Sequence, residues 1–141
     1  MINLALAAML QAGILAAEPV SSKSEALTYT EAYAQSQADD KPLVVLVGAE
    51  WCPACVTMKK STIPQLAQNG IFKNVAFTMV DTDQHSEIAK QVMEGGSIPQ
   101  LIMFHKTSDG WKRERLTGGQ SASAILSFLR RGVQAAGRIV N

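Results

Sequence analysis

The sequence predicts an α/β domain: a central mixed sheet of about four strands, helices on both faces and a C-terminal antiparallel hairpin. Three observations carry this expectation. Segments that read as strands alternate with segments of helical pattern, in the order α-β-α-β-α-β-β-α. Leu43 to Val47 (LVVLV) is an unbroken run rich in β-branched residues, which suits a strand covered on both faces. Ser108-Asp109-Gly110 lies between two late strand-like runs, and Asp-Gly is a strong hairpin signal. Early alternation implies parallel strands joined by a crossover helix, and the hairpin adds an antiparallel edge.

Thr28-Tyr29-Thr30-Glu31 fits the capping box S/T-x-x-E, so a short helix is expected from there to about Ala38. Pro42 cannot continue that helix and biases Lys41 to an extended conformation. After the LVVLV strand, Cys55 to Thr62 has helical composition, and Pro64 is expected to break or kink it. Val75 to Val80 (VAFTMV) reads as a second strand closed by Asp81-Thr82-Asp83, and Ser86 to Met93 as a short helix ended by Gly95-Gly96. Gln100 to Lys106 and Trp111 to Thr117 are the hairpin strands. Ser121 can cap a last helix through Arg131, where Ala124, Ile125, Phe128 and Leu129 recur at helical spacing. Gly132 to Asn141 reads as a flexible tail.

Composition narrows the function classes. The chain has 141 residues, 47% of them apolar and 18% charged, which suits one globular domain rather than a disordered chain. A net charge of +1 gives no basic face for a nucleic-acid partner. Two cysteines cannot build a disulfide-dense scaffold or a four-thiolate zinc site.

Met1 to Ala17 (MINLALAAMLQAGILAA) contains no Asp, Glu, Lys or Arg. As a helix it would span roughly 25 Å, slightly short of a ~30 Å hydrocarbon core. Ala16 and Ala17 precede the polar EPVSSKSE, so the stretch has the shape of a secretory signal cleaved after Ala17. Its lack of a basic start and Leu15 three residues before the cut leave an uncleaved membrane anchor or a buried apolar helix as alternatives. The expected organisation is a signal over 1–17, a linker over 18–26, a domain over 27–131 and a tail over 132–141. Export would place the chain in the periplasm or outside the cell, where a disulfide can persist.

The informative segment is Gly48-Ala49-Glu50-Trp51-Cys52-Pro53-Ala54-Cys55, directly after a buried strand and opening a helix. A helix N-terminus carries partial positive charge and free N–H groups, which stabilise a thiolate and lower its pKa. Two cysteines three apart can close a disulfide. Cys52, at the turn, is expected to be the exposed attacking thiol and Cys55 the inward resolving thiol of a dithiol–disulfide exchange. Two other readings stay open. A zinc pair would need further ligands, but His85 and His105 are separated by nineteen residues rather than by the spacing of a zinc knuckle. An inert structural disulfide is the other. A second feature is Ser97-Ile98-Pro99-Gln100-Leu101, where Pro99 removes a ladder donor at the mouth of a strand.

With both motifs in view, the chain resembles the thioredoxin superfamily over about Thr28 to Arg131. WCPAC stands where the family has Trp-Cys-x-x-Cys, SIPQL where it has its Ile-Pro, and VDTDQHSEIAKQV fits the strand end and helix between them. The run VLVGAEWCPAC followed by Met58, Lys59 and Lys60 is most similar to secreted members, among them the C-terminal periplasmic domain of a transmembrane thiol-reductant transporter. The resemblance implies the thioredoxin fold and a cis Ile98–Pro99 bond facing the cysteines. It also implies that the Ile98 backbone pairs with an extended substrate segment, and that Trp51, Pro53, Ile98 and Pro99 form the substrate-facing set.

This chain also departs from the family. Leu46 stands where cytosolic thioredoxin has a buried aspartate, and the position of its companion lysine aligns with Phe77. Glu50 is then the nearest acid in sequence and a candidate proton acceptor, the other reading being an exposed carboxylate with no role, since acids are almost never buried unpaired. The dipeptide Pro-Ala replaces Gly-Pro or Pro-His, and Pro53 withdraws one N–H donor from the Cys52 thiolate. Forty-three residues between Cys55 and Pro99 leave no room for the inserted helical domain of the periplasmic oxidase. The expectation is an extracytoplasmic thiol–disulfide oxidoreductase, acting as a reductase on protein disulfides. It would work as a monomer, without cofactor, metal or nucleic acid, and be supplied by a membrane or soluble thiol donor. A non-catalytic peptide-binding module with a structural disulfide is the alternative.

Overall fold

The computed structural model describes residues 26–137. The signal reading of 1–17, and the linker reading of all but Ala26, fall outside the described residues.

Strand β1 (Leu43–Gly48) shows why its sequence does not alternate. Successive strand residues point to opposite faces. Val44 and Leu46 pack with Met58, Leu66, Ile125 and Leu129, while Leu43, Val45 and Val47 pack with Ala32, Ala89 and Val92. Both faces are dry, so both sets must be apolar. β1 runs parallel to β2 (Ala76–Asp81) and antiparallel to β3 (Gln100–Thr107), which pairs antiparallel with β4 (Gly110–Thr117). The sheet order is β2-β1-β3-β4. This is the expected mixed four-stranded sheet with a C-terminal hairpin and helices on both faces.

Helix α1 (Tyr29–Asp39) opens on the expected capping box. The Glu31 N–H donates to Thr28 Oγ1 at 3.3 Å, and the Thr28 N–H donates to Glu31 Oε2 at 2.8 Å. Two orphan donors are thereby satisfied reciprocally.

Three expectations are corrected. Of the break or kink expected at Pro64, the break does not occur, and the irregularity is a π-helical turn just before the proline. The helical path runs through α2 (Pro53–Thr57), a π-helical turn (Met58–Thr62) and α3 (Ile63–Gln68). The Ile63 N–H donates to Met58 O, five residues back rather than four. That wider turn absorbs the proline, whose missing N–H and bulky ring disfavour a regular helix interior. Second, the expected tail does not begin at Gly132: α5 (Ala122–Ala135) continues past Arg131, with Gly132 and Val133 buried. The stripe of Ile125, Phe128 and Leu129 extends to these residues. A Cβ at Gly132 would overlap the Met103 side chain, so this glycine serves helix–sheet packing rather than helix termination. Third, Thr107 pairs with Gly110, so the hairpin loop is Ser108-Asp109 and Gly110, at φ +108°, already belongs to β4.

After a 3₁₀ turn (Ile71–Asn74) and β2, helix α4 (Ser86–Val92) buries Ala89 and Val92 on the same face as α1. Among the described residues no helix is long and apolar enough to cross a membrane.

Candidate active site

The loop leaving β1 places Cys52 at the N-cap of α2 and Pro53 in its first turn. Cys52 and Cys55 form a disulfide with Cα atoms 5.2 Å apart. The Cys55 N–H donates to Cys52 Sγ at 3.3 Å, and the Val56 N–H to Cys52 O at 3.0 Å. Cys52 Sγ therefore sits among the free N–H groups at the positive end of the helix. The expected contrast in exposure is not seen in this oxidised form: Cys52 is 6% and Cys55 7% exposed. The disulfide holds both sulfurs against Ala49, and Ile98 packs on them from the opposite loop. Pro53 itself is exposed beside them.

The Ile98–Pro99 peptide bond is cis, and Pro99 is buried at the start of β3. Gln100, fully buried, holds the loop before it. Its Nε2 donates to Glu94 O and Ser97 O, both at 2.9 Å, and its Oε1 accepts from the Glu94 N–H at 3.2 Å. Arg115 adds a 2.7 Å bond to Glu94 O, and the Gly118 N–H donates to Pro99 O at 2.8 Å. On the other flank Trp51 is 69% exposed, with its indole N–H donating to Asp83 Oδ2 at 2.9 Å. Asp81 Oδ1 accepts from the Asp83 and Gln84 N–H groups and so shapes the turn that presents Asp83. Gln100, Asp83 and Asp81 were not among the expected site residues. The D-x-D pattern at the end of β2 is the one sequence signal for the two aspartates, and it reads equally well as a strand end.

Beneath Cys55 lies a cavity of about 70 Å³. The strand register places Met79, and not Phe77, beside Leu46; Phe77 pairs with Val44 on the same strand. Both residues beside the resolving cysteine are thus apolar. The charged groups lining the cavity are Glu50, Lys59 and Asp81. Glu50 is exposed, and its Oε1 accepts from Lys59 Nζ at 2.7 Å. Gly48 closes the top: a Cβ there would stand 2.9 Å from Cys55 Cβ and 3.0 Å from its Sγ. The histidines lie apart from these groups, His85 at the N-cap of α4 and His105 beside Glu114 on the hairpin.

The arrangement is a redox domain with a disulfide-forming pair at a helix N-terminus. The chain is similar over 86 residues, at 28% identity, to the thiol:disulfide interchange protein DsbD of Pasteurella multocida, covering 59% of this chain and 15% of that protein. A DsbD of Haemophilus influenzae matches at 26% identity, covering 80% of this chain and 21% of the relative. The chloroplastic 5'-adenylylsulfate reductase 1 of Arabidopsis thaliana is 39% identical over 48% of this chain and 15% of its own length. The chain thus spans between about a seventh and a fifth of these relatives. A thioredoxin from Thermus thermophilus shares the fold with a TM-score of 0.61 at 23% identity, covering 73% of this chain and 82% of that one. The thioredoxin family model matches residues 24–131, both cysteines and the cis-proline loop included, and the chain belongs to the thioredoxin family.

Proposed function

We propose that this protein is an extracytoplasmic thiol–disulfide oxidoreductase that reduces disulfides in protein substrates. The observation that carries the reading is the Cys52–Cys55 disulfide at the N-terminus of a helix, between Trp51 and the Ile98–Pro99 loop. In the dithiol form, the Cys55 N–H and the helix end favour the Cys52 thiolate. That thiolate attacks one sulfur of a substrate disulfide. A Cys52–substrate bond forms, the substrate S–S bond breaks, and the released thiolate takes a proton from solvent. Cys55 then loses its proton and attacks Cys52 Sγ, closing the intramolecular disulfide and releasing the second substrate thiol. Two electrons pass from the dithiol to the substrate, and a membrane or soluble thiol donor restores the dithiol. Trp51, Pro53 and Ile98, set by the buried Pro99, offer the surface for an extended segment around the target disulfide, and the protein acts as a monomer. The apolar Met1–Ala17 with small residues at its end supports export, with Glu18 as the expected mature N-terminus.

A Cys55→Ser variant, lacking the resolving thiol, should accumulate mixed disulfides with protein substrates through Cys52, while Cys52→Ser should not. The burial of both sulfurs favours a second reading, a peptide-binding module with a static disulfide. Resistance of the Cys52–Cys55 bond to a glutathione buffer, with no trapped adducts, would establish that reading instead.

A further inference from the structure

We propose that Lys59, held by Glu50, promotes ionisation of the resolving thiol Cys55, and that Glu50 receives the proton through water in the cavity beneath it. The inference rests on the exchange reaction proposed above and supplies the proton route that reaction lacks.

Resolution needs the Cys55 thiolate, and its burial, with the apolar Leu46 and Met79 lining the same cavity, disfavours any charge there. Neither strand residue can hold or receive a proton. The cavity wall formed by Cys55 opens instead toward Glu50, Lys59 and Asp81. Lys59 lies four residues after Cys55, one helical turn along the same face, and Glu50 lies before the helix. The 2.7 Å ion pair between them bridges the turn that carries Cys55. The cavity, at about 70 Å³, accommodates several waters, since one needs about 10–15 Å³. Asp81 is less suited to receive the proton, because its Oδ1 already accepts two backbone N–H groups.

In the step, the Cys55 S–H proton passes through water to the Glu50 carboxylate. The thiolate electron pair forms the bond to Cys52 Sγ, and the Cys52–substrate bond breaks with its electron pair leaving on the substrate sulfur. Lys59 remains charged throughout, so its role is electrostatic. Half exposure of the ion pair screens its charge, which keeps the effect moderate.

The test is the thiolate titration of Cys55 as the sole thiol in a Cys52→Ser background, read by ultraviolet thiolate absorbance. Lys59→Met should raise the midpoint by about half a pH unit, leaving roughly threefold less thiolate below it, whereas Lys59→Arg should leave it in place. With Cys52 restored, Glu50→Gln should lower the rate of mixed-disulfide resolution below the Cys55 midpoint, where the thiol still has to lose its proton. A midpoint unmoved by Lys59→Met, or moved equally by Lys59→Arg, would overturn the role of Lys59. An unchanged rate there in Glu50→Gln, or a rate lowered by Asp81→Asn instead, would overturn the proton route. The titration needs no substrate, so it reads separately from failure of the proposed exchange activity.

Discussion

Gly48→Ala is the substitution on which the packing of the site can be tested most directly. The added Cβ would stand 2.9 Å from Cys55 Cβ and 3.0 Å from Cys55 Sγ, closer than carbon and sulfur tolerate. Neither neighbour is the free end of a long side chain. Cys55 is fixed by the disulfide and by its place in α2, so relief requires the helix to move off β1. Overpacking of this kind costs about 1–3 kcal/mol. In urea unfolding of the oxidised protein, with a slope of about 1–3 kcal/mol per molar, the midpoint should fall by roughly 1 M while the slope is unchanged. Gly119→Ala is the internal control. Its Cβ would lie 3.6 Å from Ala54 Cβ on the same helix, an ordinary contact, and its cost should stay within about 0.5 kcal/mol. Equal midpoints for Gly48→Ala and the parent would show that the helix and β1 are not held as closely as argued.

Gln100→Leu should leave the Glu94 N–H and Ser97 O unpaired beside an apolar side chain, costing about 2–4 kcal/mol and speeding hydrogen exchange at Glu94; retained protection there would show that Arg115 alone holds the loop. Thr28→Ala should cost about 0.5–2 kcal/mol at neutral pH through loss of the cap of α1. The Thr28 backbone N–H, and after it the Thr28 hydroxyl, holds the Glu31 carboxyl below its ordinary 4.5, so this contribution is present above that value and lost as pH falls through the lower, folded one. Alanine keeps the backbone bond, so in thermal melts only the hydroxyl's smaller share of the penalty should be lost at acid pH, and a penalty constant with pH would refute that share.

Much of the fold was legible because local and global signals agree in this chain. The Thr28–Glu31 cap, the two-faced LVVLV strand and the hairpin, whose loop is Ser108-Asp109, each depend on neighbours in sequence, and each forms. Pro64 and Gly132 misled for the same reason: both are helix breakers by local rule, and tertiary packing overrides the rule at each. At Pro64 a π turn makes room for the ring. At Gly132 the missing side chain is needed by Met103, a residue of another element. That Met79 rather than Phe77 stands beside Leu46 is a matter of strand register, which no single segment of sequence displays; Phe77 lies two residues earlier on the same face of β2. The cysteines and Pro99 stand in recognisable motifs. Gln100, Asp83 and Lys59 stand in or beside those motifs, but they act through partners that only the folded chain supplies, so the sequence did not mark their roles.

The topology itself explains why residues so far apart in sequence meet. β1 and β2 run parallel, so their C-terminal ends lie at one edge of the sheet, with Gly48 opposite Asp81. β3 returns antiparallel, which brings its first residue, Gln100, opposite Val47 at that same edge. The cysteine loop, the Asp81–Asp83 turn and the cis-proline loop are therefore gathered by strand direction before any side chain is chosen. Backbone bonds then fix their spacing: the Thr82 N–H donates to Gly48 O at 2.9 Å, and the Gly118 N–H to Pro99 O at 2.8 Å. Because the gathering is done by the backbone, side chains around Cys55 can change without dismantling the site. In this chain the sheet beneath that sulfur is apolar, and its charged neighbours lie on the helix and the loop ends. The placement of the disulfide belongs to the fold, and the ionisation of its inner sulfur is set by this chain's own residues.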